Sequence, residues 1–142
     1  MCGLRSQMKK FLLALVSLSL GCSSYDLTTP SQEALAGRWN LTAVNDVPLP
    51  YRFSKTSTNT TEILEDVLTV TAPNTFSEVT SVRETQNGQV TTRTILDSGT
   101  YEFNSYAVSF HFQGTESLGS GTLNGRTMTI ITSGIKFTYK KQ

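Results

Sequence analysis

Cysteine and histidine are nearly absent from this chain, which removes two common ways of building a stable site. The 142 residues include two cysteines and one histidine. Cys2 precedes an apolar leader and Cys22 ends it, so no disulfide can join two parts of a folded domain. A zinc site needs three or four His, Cys or carboxylate ligands, and His111 has no second histidine or thiol in the folded part to complete one. We therefore expect no metal, no disulfide, and a domain stabilised by its core alone.

An excess of positive charge is missing as well. Removing Arg5, Lys9 and Lys10 with the leader leaves nine Lys and Arg against eleven Asp and Glu, a net charge near −2. The acidic and basic residues are interspersed, and no basic patch stands out. Binding to nucleic acid depends on such a patch. We expect no nucleic-acid partner.

Sequence patterns of catalysis are also lacking. There is no Gly-x-Ser-x-Gly nucleophile elbow and no phosphate-binding loop. Glu65 and Asp66 are adjacent carboxylates that a strand would point to opposite faces, so they make a poor glycosidase pair and are expected to be solvated edge charges. His111 lies between Phe110 and Phe112 and is expected on the opposite strand face, as an exposed or hydrogen-bonded residue. We expect neither an enzyme nor a cofactor.

One apolar run stands at the start of the chain. It extends from Phe11 to Gly21, follows Lys9-Lys10 and is followed by Cys22. At roughly 11 residues it is much shorter than the ~20 that a membrane span needs, which indicates a secretion signal. A start at Met8 would give a more compact leader.

The end of this leader, Leu18-Ser19-Leu20-Gly21-Cys22, resembles the lipobox of bacterial lipoproteins, with Ser19 where that family usually has an aliphatic residue. The resemblance implies that Cys22 becomes the mature N-terminus and carries a lipid thioether and acyl chains such as palmitate. It also implies an exported, membrane-anchored protein that faces the periplasm, and Ser23 favours the outer membrane over the inner. The alternative is an ordinary signal peptide cut nearby, with Cys22 a free thiol.

The chain thus divides into a signal peptide at 1–21, a lipidated tether at 22–36 and a folded domain at 37–142. The tether is rich in Ser, Thr and Gln, a composition typical of a flexible linker. Part of it has another interpretation. Ser31 is a good N-cap, and Gln32 to Leu35 could form the first turn of a short helix.

Turn residues recur at short intervals after residue 36, and Thr, Val, Tyr and Phe between them favour strands. Pro48 and Pro50 weaken the second predicted strand, and Gly99 is expected to mark a turn between the fifth and sixth. The pattern predicts eight to ten strands, near 37–44, 48–53, 63–71, 76–86, 89–97, 99–103, 106–113, 118–124, 126–132 and 135–141.

Four pairs of turn residues predict the registers of these strands. A two-residue hairpin loop sets its flanking residues directly opposite one another, and the large apolar residues then meet on one face. The predicted pairings are Val79 opposite Leu96 (turn Asn87-Gly88), Tyr101 opposite Val108 (Asn104-Ser105), Gly121 opposite Met128 (Asn124-Gly125) and Ile130 opposite Phe137 (Ser133-Gly134).

Sequential hairpins must hide their edges, and a sheet closed on itself does so. We therefore expect an all-β, up-and-down antiparallel β-barrel, with an open sandwich as the alternative. The hairpin at Asn87-Gly88 has mixed polar and apolar residues on both faces. It either projects into water, with Glu84 and Arg93 as an exposed pair, or lines a wet cavity or its mouth.

The segment Gly37-Arg38-Trp39, followed by Val44-Asn45-Asp46-Val47-Pro48-Leu49-Pro50, resembles the opening of bacterial lipocalin-like domains, with Asp46 where that family commonly has Gly. Later blocks resemble it too, and the likeness covers about residues 35–141. It implies that Trp39, Leu41 and Ala43 alternate inward, that Trp39 closes the bottom of the barrel, and that a basic residue, Lys136 or Lys140, packs over it. The later blocks are 82–90, 99–101, 121–125 and 137–140.

Two functions fit such a barrel. Eight strands leave room for one small molecule, so the domain could bind a small apolar or amphipathic ligand. Alternatively the barrel is filled, and the protein is a non-enzymatic structural or interaction module of the cell envelope that uses loops such as Ser54–Thr61. A cavity of several hundred Å3 would favour the ligand. The candidate lining or core residues are Trp39, Leu41, Leu68, Val70, Tyr101, Phe103, Val108, Phe110, Met128, Ile130 and Phe137.

Overall fold

The structure is a computed structural model that describes residues 30–114 and 118–142. The predicted signal peptide, the lipidation of Cys22 and the first part of the tether lie outside these residues. No helix among the described residues has the length and apolar character to cross a membrane.

The described chain forms one short helix and ten strands. They are α1 (Gln32–Leu35), β1 (Gly37–Val44), β2 (Val47–Pro48), β3 (Tyr51–Lys55), β4 (Asn59–Thr71), β5 (Thr75–Gln86), β6 (Gln89–Asn104), β7 (Ala107–Phe112), β8 (Leu118–Asn124), β9 (Thr127–Thr132) and β10 (Ile135–Lys141).

Eight of these strands close into an antiparallel barrel. From β4 to β10 each strand pairs with the next, β10 pairs with β1, and β1 pairs with β4, so the ring has no free edge. The strands β2 and β3 extend the sheet beside β1 and β4. The predicted up-and-down barrel is confirmed, and the closing β1–β4 ladder is what rules out an open sandwich.

Strand bounds follow the turn residues closely, with three exceptions. The predicted strand 63–71 begins four residues earlier, at Asn59. The predicted strands 89–97 and 99–103 are one continuous strand, β6, and Gly99 is not in a turn. It lies opposite Phe112, and a Cβ built on it would stand 2.0 Å from the carbonyl oxygen of His111. Gly99 therefore permits a close backbone approach. The doubtful strand 48–53 is two short strands, β2 and β3.

Two hairpin registers are confirmed. Val79 pairs with Leu96 and Ile130 with Phe137. Their turns have positive φ at both central residues, 48° and 82° at Asn87-Gly88 and 51° and 79° at Ser133-Gly134. Such turns match the twist of the flanking strands.

The other two registers were predicted wrongly, each by two residues. The central turn residues are Ser105-Tyr106 and Gly125-Arg126, so Tyr101 pairs with Phe110 and Gly121 with Ile130. In both turns the first central residue has the positive φ, 59° at Ser105 and 58° at Gly125. A shift of two residues leaves every side chain on its own face, which is why the hydrophobic pattern did not reveal the error.

The bottom of the barrel is packed solid, and we call this region the floor. Its fully buried side chains are Leu35, Trp39, Leu68, Val108 and Met128. The helix α1 covers it, as in the helical interpretation of the tether. Trp39 donates from Nε1 to the carbonyl oxygen of Leu35 at 2.8 Å, so the ring is both buried and hydrogen-bonded.

The helix is capped at its start, and two side-chain hydrogen bonds hold it to the barrel. Ser31 caps it by accepting from the amide of Ala34, and Gln32 donates to the carbonyl oxygen of Pro73. Lys141 donates to the carbonyl oxygen of Ala34 at 2.6 Å. The N-terminal segment thus belongs to the folded domain from residue 31 onward.

Two details of the first strand correct the expectations. The basic residue over Trp39 is Lys141, whose Nζ lies 5.4 Å from the ring centroid, because Lys141 is the β10 partner of Trp39. Lys140 is exposed, and Lys136 instead contacts Asp46.

The inward alternation of β1 also differs from the prediction. Trp39 and Leu41 point inward, but the next fully buried residue is Val44 and not Ala43. The ladder with β10 shifts between Leu41 and Ala43. A bulge of this kind adds one residue and reverses the faces beyond it.

Candidate ligand-binding cavity

A cavity of about 590 Å3 occupies the barrel interior above the floor. Six of the barrel strands and β3 border it, and its lining combines aromatic and aliphatic side chains with a group of acids. The lining residues are Phe53, Ser54, Thr61, Ile63, Asp66, Leu68, Glu78, Thr80, Val82, Glu84, Arg93, Ile95, Asp97, Phe110, Phe112, Ile130, Thr132, Phe137 and Tyr139.

Of the eleven residues predicted to line or fill the barrel, four border this cavity: Leu68, Phe110, Ile130 and Phe137. The other seven pack in the core without lining it, and Phe103 among them is only partly buried. Those seven are Trp39, Leu41, Val70, Tyr101, Phe103, Val108 and Met128. The hydrophobic pattern found the interior but could not separate its filled part from its empty part.

Phenylalanine rings packed edge to face form the apolar wall of the cavity. Phe76 meets Phe110 edge-on with the ring centroids 5.2 Å apart, and it meets Phe112 in the same way at 5.1 Å. Edge-to-face contacts of this kind hold aromatic rings in defined orientations. Phe110 and Phe112 therefore present a fixed surface toward the cavity.

The β5–β6 hairpin forms the other wall. Within the described residues, the ladder between β6 and β7 begins at Gly99, so residues 89–98 of β6 extend beyond β7 while still paired with β5. The sequence left two possibilities for this hairpin, projection into water or lining of a cavity, and each is correct for part of it. The hairpin extends past β7, and its inner face lines the cavity. Glu84 and Arg93 form the predicted pair, 2.8 Å apart and partly exposed.

Residues predicted as a surface loop also belong to this wall. Of the segment Ser54–Thr61, only residues 56–58 lie outside strands. Ser54 and Thr61 line the cavity beside Phe53, which is 51% exposed. The exposure of Phe53 and Arg93 places the mouth of the cavity at this end of the barrel.

Two carboxyl groups stand deep in the cavity, and we call Asp66 and Glu78 the acid pair. The hydroxyl of Tyr139 lies 3.2 Å from Oδ2 of Asp66 and 2.9 Å from Oε1 of Glu78. Asp66 is only 4% exposed, and its Oδ1 has no hydrogen-bond partner among the described residues. Because buried polar atoms are almost always paired, this free oxygen is unusual.

The inward position of Asp66 contradicts the expectation of a solvated edge charge. The β4–β5 ladder shifts between Ile63 and Glu65, which leaves Leu64 as an extra residue. This bulge points both Ile63 and Asp66 into the barrel, while Glu65 is exposed. Plain alternation would have sent Glu65 inward with Ile63.

Burial and mutual repulsion shift the protonation of these groups. Burial, and then the charge of Glu78, raise the pKa of Asp66 to about 8. Burial also raises the pKa of Glu78, and the charge of Asp97 adds to it. The pKa of the Tyr139 hydroxyl is raised well above its usual value by burial first and then by the two acids. At neutral pH the acid pair therefore retains a proton that exposed carboxyls would lose.

Part of this acidic group was within reach of the sequence. The confirmed register at Asn87-Gly88 sets Glu78 opposite Asp97, on the same face as the buried Val82. Two carboxylates opposite each other on an inward face are a signal of a polar cavity. Asp66 precedes Leu68 and Val70 by two and four residues, so the alternation that predicts these two inward also points Asp66 inward. The bulge explains only why Ile63 shares that face.

Other candidates from the sequence do not converge on a site. His111 is exposed on the outer face of β7, and the described residues contain no group of three or more His, Cys, Asp or Glu that could hold a metal ion. Searches of protein-family models, curated proteins and solved structures each find no match to this chain.

Proposed function

We propose that this protein binds a small amphipathic molecule inside its barrel. The observation that carries the proposal is the cavity of about 590 Å3 with mixed apolar and polar walls. Ligand sites in proteins typically occupy about 300–1,000 Å3, and they combine apolar surface with a few convergent polar groups. The cavity matches this description in size and in the composition of its lining.

The alternative, a filled barrel that acts only through its surface, depends on aromatic side chains closing the interior. Phe110 and Phe137 border the cavity and leave it open, and Phe103 packs elsewhere on the core. This arrangement supports the ligand-binding function over the filled interaction module.

We also propose that the chain is an envelope lipoprotein anchored through Cys22. The support is the leader and the similarity of Leu18–Cys22 to a lipobox. The substitution Cys22→Ala should release the protein from the membrane fraction or stall its processing. Unchanged fractionation would contradict the anchor and leave the cavity unaffected.

Binding can be measured with N-phenyl-1-naphthylamine, an uncharged probe whose fluorescence rises in apolar surroundings. The full chain would carry Cys22→Ser so that no acyl group or detergent competes for the cavity. We expect saturable binding that Thr80→Phe abolishes, because Thr80 lines the cavity. Thr94→Phe is the matched control, since Thr94 lies exposed on the outer face of the same hairpin.

Equal binding by the two variants, or none by the parent chain, would contradict an internal site. Native mass spectrometry of protein isolated from its own envelope then identifies the natural ligand. A co-purifying small molecule that Thr80→Phe removes and Thr94→Phe retains would support the proposal.

A further inference from the structure

We propose that the cavity selects an organic cation, a protonated amine on an apolar body, and that its ammonium group binds between Asp66 and Glu78 beside Tyr139. This inference rests on the proposed function and specifies the chemistry of its ligand. It follows from the charge of the lining, from one unpaired buried oxygen and from the surrounding aromatic wall.

The lining carries four acidic side chains and one basic one. The basic residue, Arg93, is already engaged by Glu84 at 2.8 Å. Asp66, Glu78 and Asp97 have no basic partner among the described residues, although all three face the same cavity. An anionic ligand would be repelled here, whereas a cation would relieve the repulsion among the acids.

The geometry at Asp66 indicates where the cation binds. Its Oδ2 is near the Tyr139 hydroxyl, whereas Oδ1 is buried and makes no hydrogen bond to the described residues. Leaving a buried carboxylate oxygen unpaired is costly. An ammonium group has three N–H donors and no acceptor, so it can donate to the carboxyl groups of Asp66 and Glu78 at once.

The rest of the lining suits an organic body better than a bare ion. Ca2+ takes about six to eight oxygen ligands, whereas the same cavity is also lined by the apolar side chains of Leu68, Phe110 and Ile130. Aromatic faces attract cations, and apolar walls bury hydrocarbon. A molecule with an ammonium group at one end and a hydrocarbon body can bind the acid pair with its charge and the apolar lining with its hydrocarbon.

Binding should be coupled to proton release. The titratable or charged groups that face the acid pair are Tyr139 from β10, Glu84 from β5, and Arg93 and Asp97 from β6, while β3, β7 and β9 contribute only Phe, Ser, Ile and Thr. Burial and the charge of Glu78 raise the pKa of Asp66, and a bound cation lowers it again. Affinity for the amine should therefore rise as pH increases from 5 to 8.

The test compares three ligands of equal chain length as competitors of N-phenyl-1-naphthylamine at pH 7.5: octylamine, which is protonated, 1-octanol, which is neutral, and octanoate, which is anionic. We expect octylamine to displace the probe at a concentration at least about tenfold lower than 1-octanol, a factor worth about 1.4 kcal/mol. Since 1-octanol is the more hydrophobic molecule, simple partitioning predicts the reverse order.

Variants locate the effect. Asp66→Asn and Glu78→Gln should each reduce the preference for octylamine over 1-octanol to within about twofold while leaving binding of the neutral probe intact. Glu65→Gln is the matched control, because Glu65 is the exposed neighbour of Asp66, and it should keep the full preference. Calorimetry in buffers of different ionisation enthalpy should detect a proton released on octylamine binding.

Probe binding with equal or stronger displacement by 1-octanol or octanoate would overturn the inference and leave the proposed function standing. Displacement of octylamine by submillimolar Ca2+ would also overturn it, in favour of a metal site. Absence of all probe binding would instead remove the proposed function itself.

Discussion

The two halves of this barrel are built on opposite principles. In the floor, Trp39 and Met128 are completely buried, and the indole nitrogen of Trp39 has its hydrogen-bond partner. In the cavity half, Asp66 is nearly as buried, yet one of its oxygens has no hydrogen-bond partner in the part of the chain that the structure describes. The comparison teaches that one end of the barrel provides stability, while the other end holds a buried acid at a cost in stability. Such a division is typical of proteins whose sites are not optimised for folding.

The largest expected effect is at the floor. The substitution Trp39→Ala removes a fully buried indole and its hydrogen bond to Leu35. We expect the free energy of unfolding to fall by about 3–5 kcal/mol, measured by urea denaturation. Leu96→Ala is the control, because Leu96 is 73% exposed, and it should change stability by less than about 0.5 kcal/mol. A loss below about 1 kcal/mol for Trp39→Ala would contradict the claim that the packed floor provides the stability of the barrel.

A smaller effect of opposite sign is expected in the cavity half. Because the pKa of Asp66 is raised from 3.8 to about 8 in the folded chain, the folded state holds a proton that the unfolded state loses between these values. Its contribution therefore makes stability fall as pH rises from about 4 to about 8. Asp66→Asn should flatten this fall and increase stability at pH 7.5 by on the order of 2 kcal/mol.

The measurement is urea denaturation of both chains at several pH values from 4 to 8. Glu65→Gln serves as control and should leave the pH profile unchanged, since Glu65 is exposed. An Asp66→Asn chain that is less stable than the parent at pH 7.5 would mean that the Asp66 carboxyl group stabilises the fold. The cavity half would then contribute to stability as the floor does.

The smallest expected effect concerns Lys141, which covers the floor from outside. Lys141→Gln removes the cation over Trp39 and the bond to the carbonyl oxygen of Ala34. We expect a loss of about 1 kcal/mol in the free energy of unfolding. Lys140→Gln, at an exposed neighbouring position, should have almost none. Equal effects of the two substitutions would show that the cation over the indole adds nothing to the floor.

How far the sequence could predict this molecule depended on the range of the interactions involved. The hairpin at Ser133-Gly134 was predicted in the correct register because its local turn preference and its hydrophobic pattern agree. The hairpin at Asn124-Gly125 was displaced by two residues, since either register keeps Met128 inside. The lysine over Trp39 was misassigned, since the choice depends on the pairing of β1 with β10, nearly a hundred residues away.

The sequence by itself determined the all-β class and the antiparallel hairpins, because alternation and turn residues act over a few positions. It also determined most of the apolar side chains that point inward, although a bulge in β1 buries Val44 in place of Ala43. Only the tertiary structure decided that the interior holds a cavity, and that Asp66, Glu78 and Tyr139 meet in it. Asp66 and Glu78 lie on the paired strands β4 and β5, and Tyr139 reaches them from β10, more than sixty residues further along the chain. No local pattern encodes this long-range meeting or the volume left between packed walls.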